Sequence, residues 1–514
     1  MIVKGITLAM AVTALVAVAA PAAAPAAKAP AKKADKAAMR LTDAVTVAGI
    51  LRHERALANI AERNGGTRAS GTRGFDKSRD YVVGQLQNAG YTVNVQPFEF
   101  PFFQELAPST FERTAPTPRT YTADDFATMD FSGSGDVTGN VVPVDVVLPP
   151  GAEPSSNTSG CEAADFTGFP AGAVALVQRG TCTFGEKAQN AADAGASAVL
   201  IFNEGQPGRT EALSGTLGGP VSIPVLGTSF DVGNELATQA GQGDVTVHVT
   251  TSTLSETRTT YNVIADAPSG RTDHTVVVGS HLDSVLAGPG INDDGSGTSQ
   301  DLEIALRYAK AVKNPRNHVR FIFFGAEEEG LLGSAHYVST LSQDDTDQIM
   351  AMLDFDMMAS PNFARFVYDG DGSDNPDAVG PTGSDVIEQL LTGYWADRGL
   401  VSESTPFDGR SDYVAFTDVG IPAGGTFAGA EGIKTEEQEA KYGGTAGIAF
   451  DSCYHQACDT LSNLNLTALD QFSDNSANAV ARLVMRENDL SDNTELKARK
   501  LSRTSDYKGE QLVR

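Results

Sequence analysis

The segment "GSHLDSVLAGPGINDDGSGTS", residues 279–299, sets His281, Asp283, Asp293 and Asp294 among five glycines, directly after the apolar run "TVVV". Imidazole and carboxylate are the donors that zinc and similar borderline divalent cations take. A histidine at the mouth of a buried strand is held more rigidly than one on a solvated loop. Two other apolar runs end in the same chemistry. "FIFFGA" runs into Glu327, Glu328 and Glu329, and "MLDFD" carries Asp354 and ends in Asp356. A second histidine, His455, stands in "CYHQAC".

In open α/β sheets, ligands bind beyond the carboxyl ends of the strands. Three strands ending in these residues therefore gather one histidine and several carboxylates on one rim, and His455 can join them. Such a set exceeds one closed tetrahedral site. It fits two cations about 3.5–4 Å apart, bridged by a carboxylate, that activate a water for hydrolysis. Asp354 and Asp356 share a strand face, so either could be the ligand and the other its support. Any of the three glutamates could stand at the strand mouth. His53, His248, His274, His318 and His336 lack such surroundings and read as structural or solvated.

The elements that must position these residues are legible. "HTVVVGS", "HVRFIFFG" and "AMLDFDM" are strand-like. "SQDLEIALRYAKAVK" is amphipathic, with Leu302, Ala305, Leu306, Ala309 and Val312 on one helical face. "SDVIEQLLTGYWADRG" is a second helix, with Ser384 as its N-cap candidate and Gly399 as its stop. Alternation of this kind predicts an α/β fold: a mostly parallel mixed central sheet flanked by helices. Between about 110 and 257 the texture changes to short β-rich runs separated by Gly, Pro, Asn and Ser, with one helical piece, "FGEKAQNAADAGA".

Length and charge bound the rest. The chain has 514 residues, which suggests two domains, and a formal net charge of −27, which disfavours nucleic acid and anionic membrane as partners. Residues 1–24 read as a signal peptide, with Lys4, an apolar core of about 15 residues and small residues after it. That core is shorter than the roughly 20 residues needed to span a bilayer. Residues 25–40 read as a linker or short pro-segment, and 487–514 as a polar tail. An even cysteine count in an exported chain suggests two disulfides, and proximity pairs Cys161 with Cys182 and Cys453 with Cys458.

Five motifs in order, "GSHLDSV…GPGINDDGSG", "FFGAEEEGLLGS", "LDFDMMAS", "DGRSDYVAF" and "AFDSCYHQACDTLSNLN", resemble the secreted two-zinc aminopeptidases of the M28 family. The likeness implies a zinc-peptidase domain over 41–109 and 258–486. The stretch "GAVALVQRGTCTFGEKAQNAADAGASAVLIFNE" resembles a protease-associated (PA) domain, inserted over 110–257.

The resemblance implies two zinc ions. His281 and Asp356 would hold one, Glu328 and His455 the other, and Asp293 would bridge them. Glu327 would be the general base, Asp283 the orienter of His281, and Tyr454 the oxyanion stabiliser. Arg410 and Phe427 would line the substrate pocket, and the Asp293–Asp294 peptide would be cis. A calcium site is matched only in part, by Asp43, Asp470 and Asp474. The expected partners are peptides with a free N-terminus, and the expected state is a monomer.

Competing readings are another zinc hydrolase on this fold, such as a carboxypeptidase or a glutaminyl cyclase-like transferase, and a receptor that has lost its metals. The receptor reading requires missing ligands, and all are present. A carboxypeptidase should carry an arginine cluster, whereas only Arg410 is evident. No G-x-S-x-G elbow supports a serine hydrolase.

Overall fold

The computed structural model describes residues 28–490. The expected signal peptide lies outside them, as does the tail from 491 onward. The structure adds detail at both ends. The predicted linker is helical from Lys28, forming a helix Lys28–Ala44. Its alanine-rich sequence favours helix, and Ala37, Ala38 and Leu41 bury a stripe in the same core as the helix Leu466–Val484. Within the tail expected from 487, Glu487 and Asn488 are exposed but Leu490 is buried.

The strands form one mixed 14-stranded sheet. At its centre Arg271–His281 lies between Ile349–Asp356 and Asn317–Phe324, parallel to both. Ala423–Phe427 extends the parallel set beyond Ile349–Asp356. These strands are apolar almost throughout because helices cover both faces. One core joins them to the helix Gly295–Ala311 and to Leu466–Val484. The expected face of Gly295–Ala311 is only partly right. Leu302, Ala305 and Val312 are buried, but Ala309 is exposed, while the whole first turn is buried because the helix enters beneath the site. Ser384 is the first residue of its helix rather than the cap. Its hydroxyl accepts from Ala423 N instead, tying that helix to the sheet.

Two strands of unusual length join this body to the inserted region. Thr92–Ala115, 24 residues, pairs antiparallel along nearly its full length with Thr246–Asp266, 21 residues. At one end Thr246–Asp266 also pairs with Asn317–Phe324, and at the other with Gly135–Pro143. From there Val174–Gln178, Ala198–Phe202 and Val225–Thr228 continue as a second parallel set with its own core. Its helix Phe184–Asp193 begins in a Thr183–Glu186 capping box. The Cys161–Cys182 and Cys453–Cys458 disulfides are both formed.

Midway along the ribbon, Phe98, Phe100 and Phe102 form a small cluster with Ala326, Leu286 and Leu332. Ala326 and Leu286 belong to the loops that follow two of the site-bearing strands, and Leu332 begins the helix Leu332–Ser339. Truncating Phe100→Ala should lower stability by about 3–5 kcal/mol, the usual cost of removing a buried phenyl ring. Denaturant titration measures it, and a loss below about 1 kcal/mol would show that the cluster does not secure the ribbon.

Candidate metal centre

Parallel register brings the strand ends level. His281 pairs with Phe324, just before the acidic turn, and Asp354 pairs with Gly279. The connection from His281 to the helix Gly295–Ala311 carries Asp293. The disulfide-closed turn Cys453–Cys458 brings in His455. His281 Nε2 lies 3.1 Å from Asp293 Oδ1 and 3.7 Å from Asp356 Oδ1. His455 Nε2 lies 3.2 Å from Asp293 Oδ2 and 2.9 Å from Glu328 Oε2. One carboxylate, Asp293, thus turns one oxygen to each imidazole. Glu327 Oε2 stands 4.0 Å from His281 Nε2.

Several of these positions are held by the backbone. Asp294 caps the helix: its carboxylate accepts from Gly297 N at 2.8 Å, Met357 N at 3.0 Å and His281 N at 3.2 Å. Those bonds fix it as an anchor for the histidine strand, although its oxygens also lie near His281 and Asp356. The Asp293–Asp294 peptide is cis. Gly297 permits the close approach beneath, because a Cβ there would sit 2.0 Å from Phe355 O. Asp459 accepts from Asn292 N at 2.9 Å and Asp293 N at 3.0 Å, fixing the backbone of the spanning aspartate. Asp354 accepts from Tyr413 N at 3.1 Å, and Ser411 Oγ donates to Asp356 Oδ2 at 2.9 Å.

Asp283 lies 3.8 Å from His281 Nδ1, an ion-pair distance rather than a hydrogen bond, and accepts from Glu327 N at 3.4 Å. Tyr454 stacks on the His455 ring, and its hydroxyl accepts from Arg410 Nη2 at 3.2 Å. Arg410 is itself paired through both nitrogens with Glu431, at 2.7 and 3.3 Å. Met357, Tyr368, Thr405, Asp408, Phe427 and Ala430 wall the cleft beside these groups.

The electrostatics are unbalanced. Asp283, Asp293, Asp294, Glu327, Asp354 and Asp412 are each less than a tenth exposed. Burial, then the Asp293 charge, pushes Glu328 up to about 7. Burial drives Glu327 well above the carboxylate range, with Asp412, Glu328 and Asp356 adding to it against His281. Asp293 is also pushed up by burial, but its hydrogen bonds to both imidazoles outweigh that and hold it low. Burial lowers His455, yet Glu328 and Asp293 overcome it and draw the ring up to about 11. Asp356 Oδ1 and Glu328 Oε1 are buried and accept no hydrogen bond. Unpaired buried carboxylate oxygens aimed at two imidazoles have the chemistry of a divalent cation site, and this donor set fits zinc.

Among the described residues, other clusters do not rival this one. Asp369, Asp371 and Glu388 converge on a loop, but Asp369 is already filled by backbone N–H groups. Asp43, Asp470 and Asp474, the partial calcium match, lie near one another: burial, then the Asp470 charge, pushes Asp474 up to about 6, and Asp43 adds to it. His53, His248, His274 and His318 bond to neighbouring side chains away from the centre, and His336 stacks on Phe98. Sequence reasoning did not single out Asp294 as an anchor, although an aspartate before "GSG" at a helix start is an N-cap signal. Asp459 and Ser411 carried no local signal.

Residues 262–480 match the model of peptidase family M28, and residues 137–236 match the PA domain. An aminopeptidase of Pseudomonas aeruginosa is 46% identical over 84% of this chain and 80% of its own length. A probable leucine aminopeptidase 2 of Aspergillus oryzae is 44% identical over 71% and 70%. Among solved structures, a zinc aminopeptidase from Bacillus subtilis is similar at a TM-score of 0.55 and 26% identity, covering 84% of this chain and 94% of that one.

A cation that binds only the folded chain stabilises it by about 2.7 kcal/mol at a hundred times its Kd. Exhaustive chelation should therefore lower Tm by several degrees, and added zinc should restore it. Unchanged thermal unfolding after metal removal, verified by elemental analysis, would contradict a cation site here.

Proposed function

The chain belongs to peptidase family M28 and is an aminopeptidase, and on that premise we propose that it is a secreted, two-zinc enzyme that removes large apolar residues from peptide N-termini. The observation that carries this reading is the Asp293 carboxylate shared between His281 and His455, with Glu327 beside it. His281 and Asp356 would hold one ion, and Glu328 and His455 the other, with Asp293 common to both. Bound zinc would polarise the scissile carbonyl and acidify water.

The chain's own groups supply the remaining steps. Glu327 takes a proton from the attacking water and delivers it to the leaving amine. Tyr454 accepts from Arg410, which leaves its own proton to donate to the developing oxyanion. Surplus carboxylates, Glu327 and Asp356 among them, attract the substrate's α-ammonium. Met357, Tyr368, Phe427 and Ala430 offer apolar walls to the first side chain.

The rival carboxypeptidase reading needs a cation for the substrate's terminal carboxylate, and the Arg410 charge is already engaged by Glu431. Two disulfides favour an oxidising compartment, and no described helix is long and apolar enough to cross a membrane. The PA region over 110–257 contributes none of the proposed ligands.

Glu327→Gln should retain its metal content by elemental analysis while kcat falls by about 10²–10⁴-fold. A near wild-type kcat would move the base elsewhere, with Glu329 the next candidate.

A buried leucine side chain gains roughly 1.5–3 kcal/mol over exposure. Leu anilide should therefore exceed Gly anilide by about tenfold or more in kcat/KM, and acetyl-Leu anilide should be inert. Hydrolysis of the acetylated substrate at a comparable rate would overturn the aminopeptidase mechanism. A preference for Glu would overturn only the pocket assignment.

A further inference from the structure

The loop that carries Asp283 and Asp293, residues 282–294, is neither helix nor strand, yet it is buried over most of its length. Buried carbonyls need partners. Those of this loop find them in a segment more than two hundred residues earlier, outside the stretch matched by the M28 family model. Arg68, fully buried, spreads its guanidinium across three of them: Nε donates to Pro289 O at 2.8 Å, and the two Nη groups donate to Leu282 O and Gly290 O. Its backbone N–H donates to Ser284 Oγ at 3.0 Å, and that hydroxyl also contacts Gly288 O at 3.0 Å. Thr67 Oγ1 donates to Val285 O at 2.8 Å.

The charge of Arg68 matters as much as its shape. Asp283, Asp294 and Asp459 all act on it, as does Glu54. Glu54 is equally buried, on the helix Val47–Arg63, and its Oε2 converges with Arg68 Nη2 on Gly295. A Cβ at Gly295 would lie 3.1 Å from the first and 3.7 Å from the second. The loop is thus folded around one guanidinium, with a ligand-bearing end on either side of it.

We propose that Arg68 is a positioning residue for the metal centre: its three-carbonyl fork, seconded by Thr67, sets the curvature of residues 282–290 and so holds Asp293 in register with His281 and His455, beneath acids that it partly neutralises. The proposal rests on the two-zinc reading above. A lysine keeps the charge but has one compact ammonium in place of a planar fork, so it cannot span the three carbonyls. Supports of this kind typically cost about 10–100-fold in metal affinity or activity when removed.

The test measures zinc affinity of the full-length mature protein by competition with a chromophoric chelator, alongside apo-protein Tm and steady-state kinetics. Arg68→Lys should raise the zinc Kd about tenfold or more, and kcat should fall with KM little changed. Thr67→Val should move Kd in the same direction by less. Leu200→Ala, a buried truncation far off in the inserted region, should lower Tm without moving Kd, which separates positioning from plain destabilisation. A folded Arg68→Lys with wild-type zinc Kd overturns the proposal. Should Arg68→Lys fail to fold, Thr67→Val decides: a Kd raised by more than about twofold supports the proposal, and a smaller change overturns it. A wild type that holds no zinc would overturn the metal reading itself, whereas equal affinity across the variants overturns this inference alone.

Discussion

Everything in this molecule is arranged around a concentration of buried negative charge. Carboxylates at the ends of three neighbouring parallel strands repel one another in a low-dielectric interior, and burial, with neighbouring acids adding to it, pushes Glu327, Glu328 and Asp354 up. Two features keep the cluster intact. Backbone N–H groups are spent on the acids that serve as anchors, Asp294 and Asp459. The remaining oxygens face two imidazoles. A fold that tolerates this must gain something from it, and a polyvalent cation is the plainest means of offsetting the repulsion.

Parallel strands make the arrangement attainable. In a parallel sheet every carboxyl end lies on the same rim, so one turn after each strand suffices to converge donors from residues far apart in sequence. The cost is that each turn must stop abruptly. Ala326 and Leu331, both at positive φ, bracket the acidic turn, and Met357 does the same after Asp356. Non-glycine residues at such angles are uncommon, and they cluster here because the side chains on either side are held by the site and its packing.

The strands, and the histidine and acids that the structure gathers at their ends, were legible in the sequence because both depend on local signals: apolar runs, and the residue types at their ends. Glu327 to Glu329 could be assigned separate roles only through family resemblance, since three adjacent acids look alike until a fold points them apart. What stayed hidden was the support. Arg68, Asp459 and Ser411 act through contacts with residues 55 to 222 positions away, and no spacing rule reports those. The helical start at Lys28 was missed for a different reason. An alanine- and lysine-rich stretch with prolines resembles a linker in composition, and only its burial against the helix Leu466–Val484 reveals a packed stripe.

The inserted region poses the remaining structural question, and the ribbon answers part of it. Had the insert been attached by a short flexible pair of connections, its position would be independent of the site. Instead Thr92–Ala115 and Thr246–Asp266 are continuous strands that belong to both halves, paired along nearly their full length, with register shifts between Glu105 and Thr110 and between Arg113 and Ala115. Such a ribbon bends more easily than it slides, because sliding would break its ladder and flip side chains to the wrong face. Its phenylalanines at 98, 100 and 102 pack against Leu286 and Ala326, next to Asp283 on one loop and Glu327 on the other. The ribbon that carries the insert is therefore packed directly against the loops that carry the acids. Apolar side chains make this link together with hydrogen bonds, since Asn262 on the ribbon accepts from Gly325 N at 3.2 Å and donates to Gly333 O at 2.8 Å, on either side of the acidic turn.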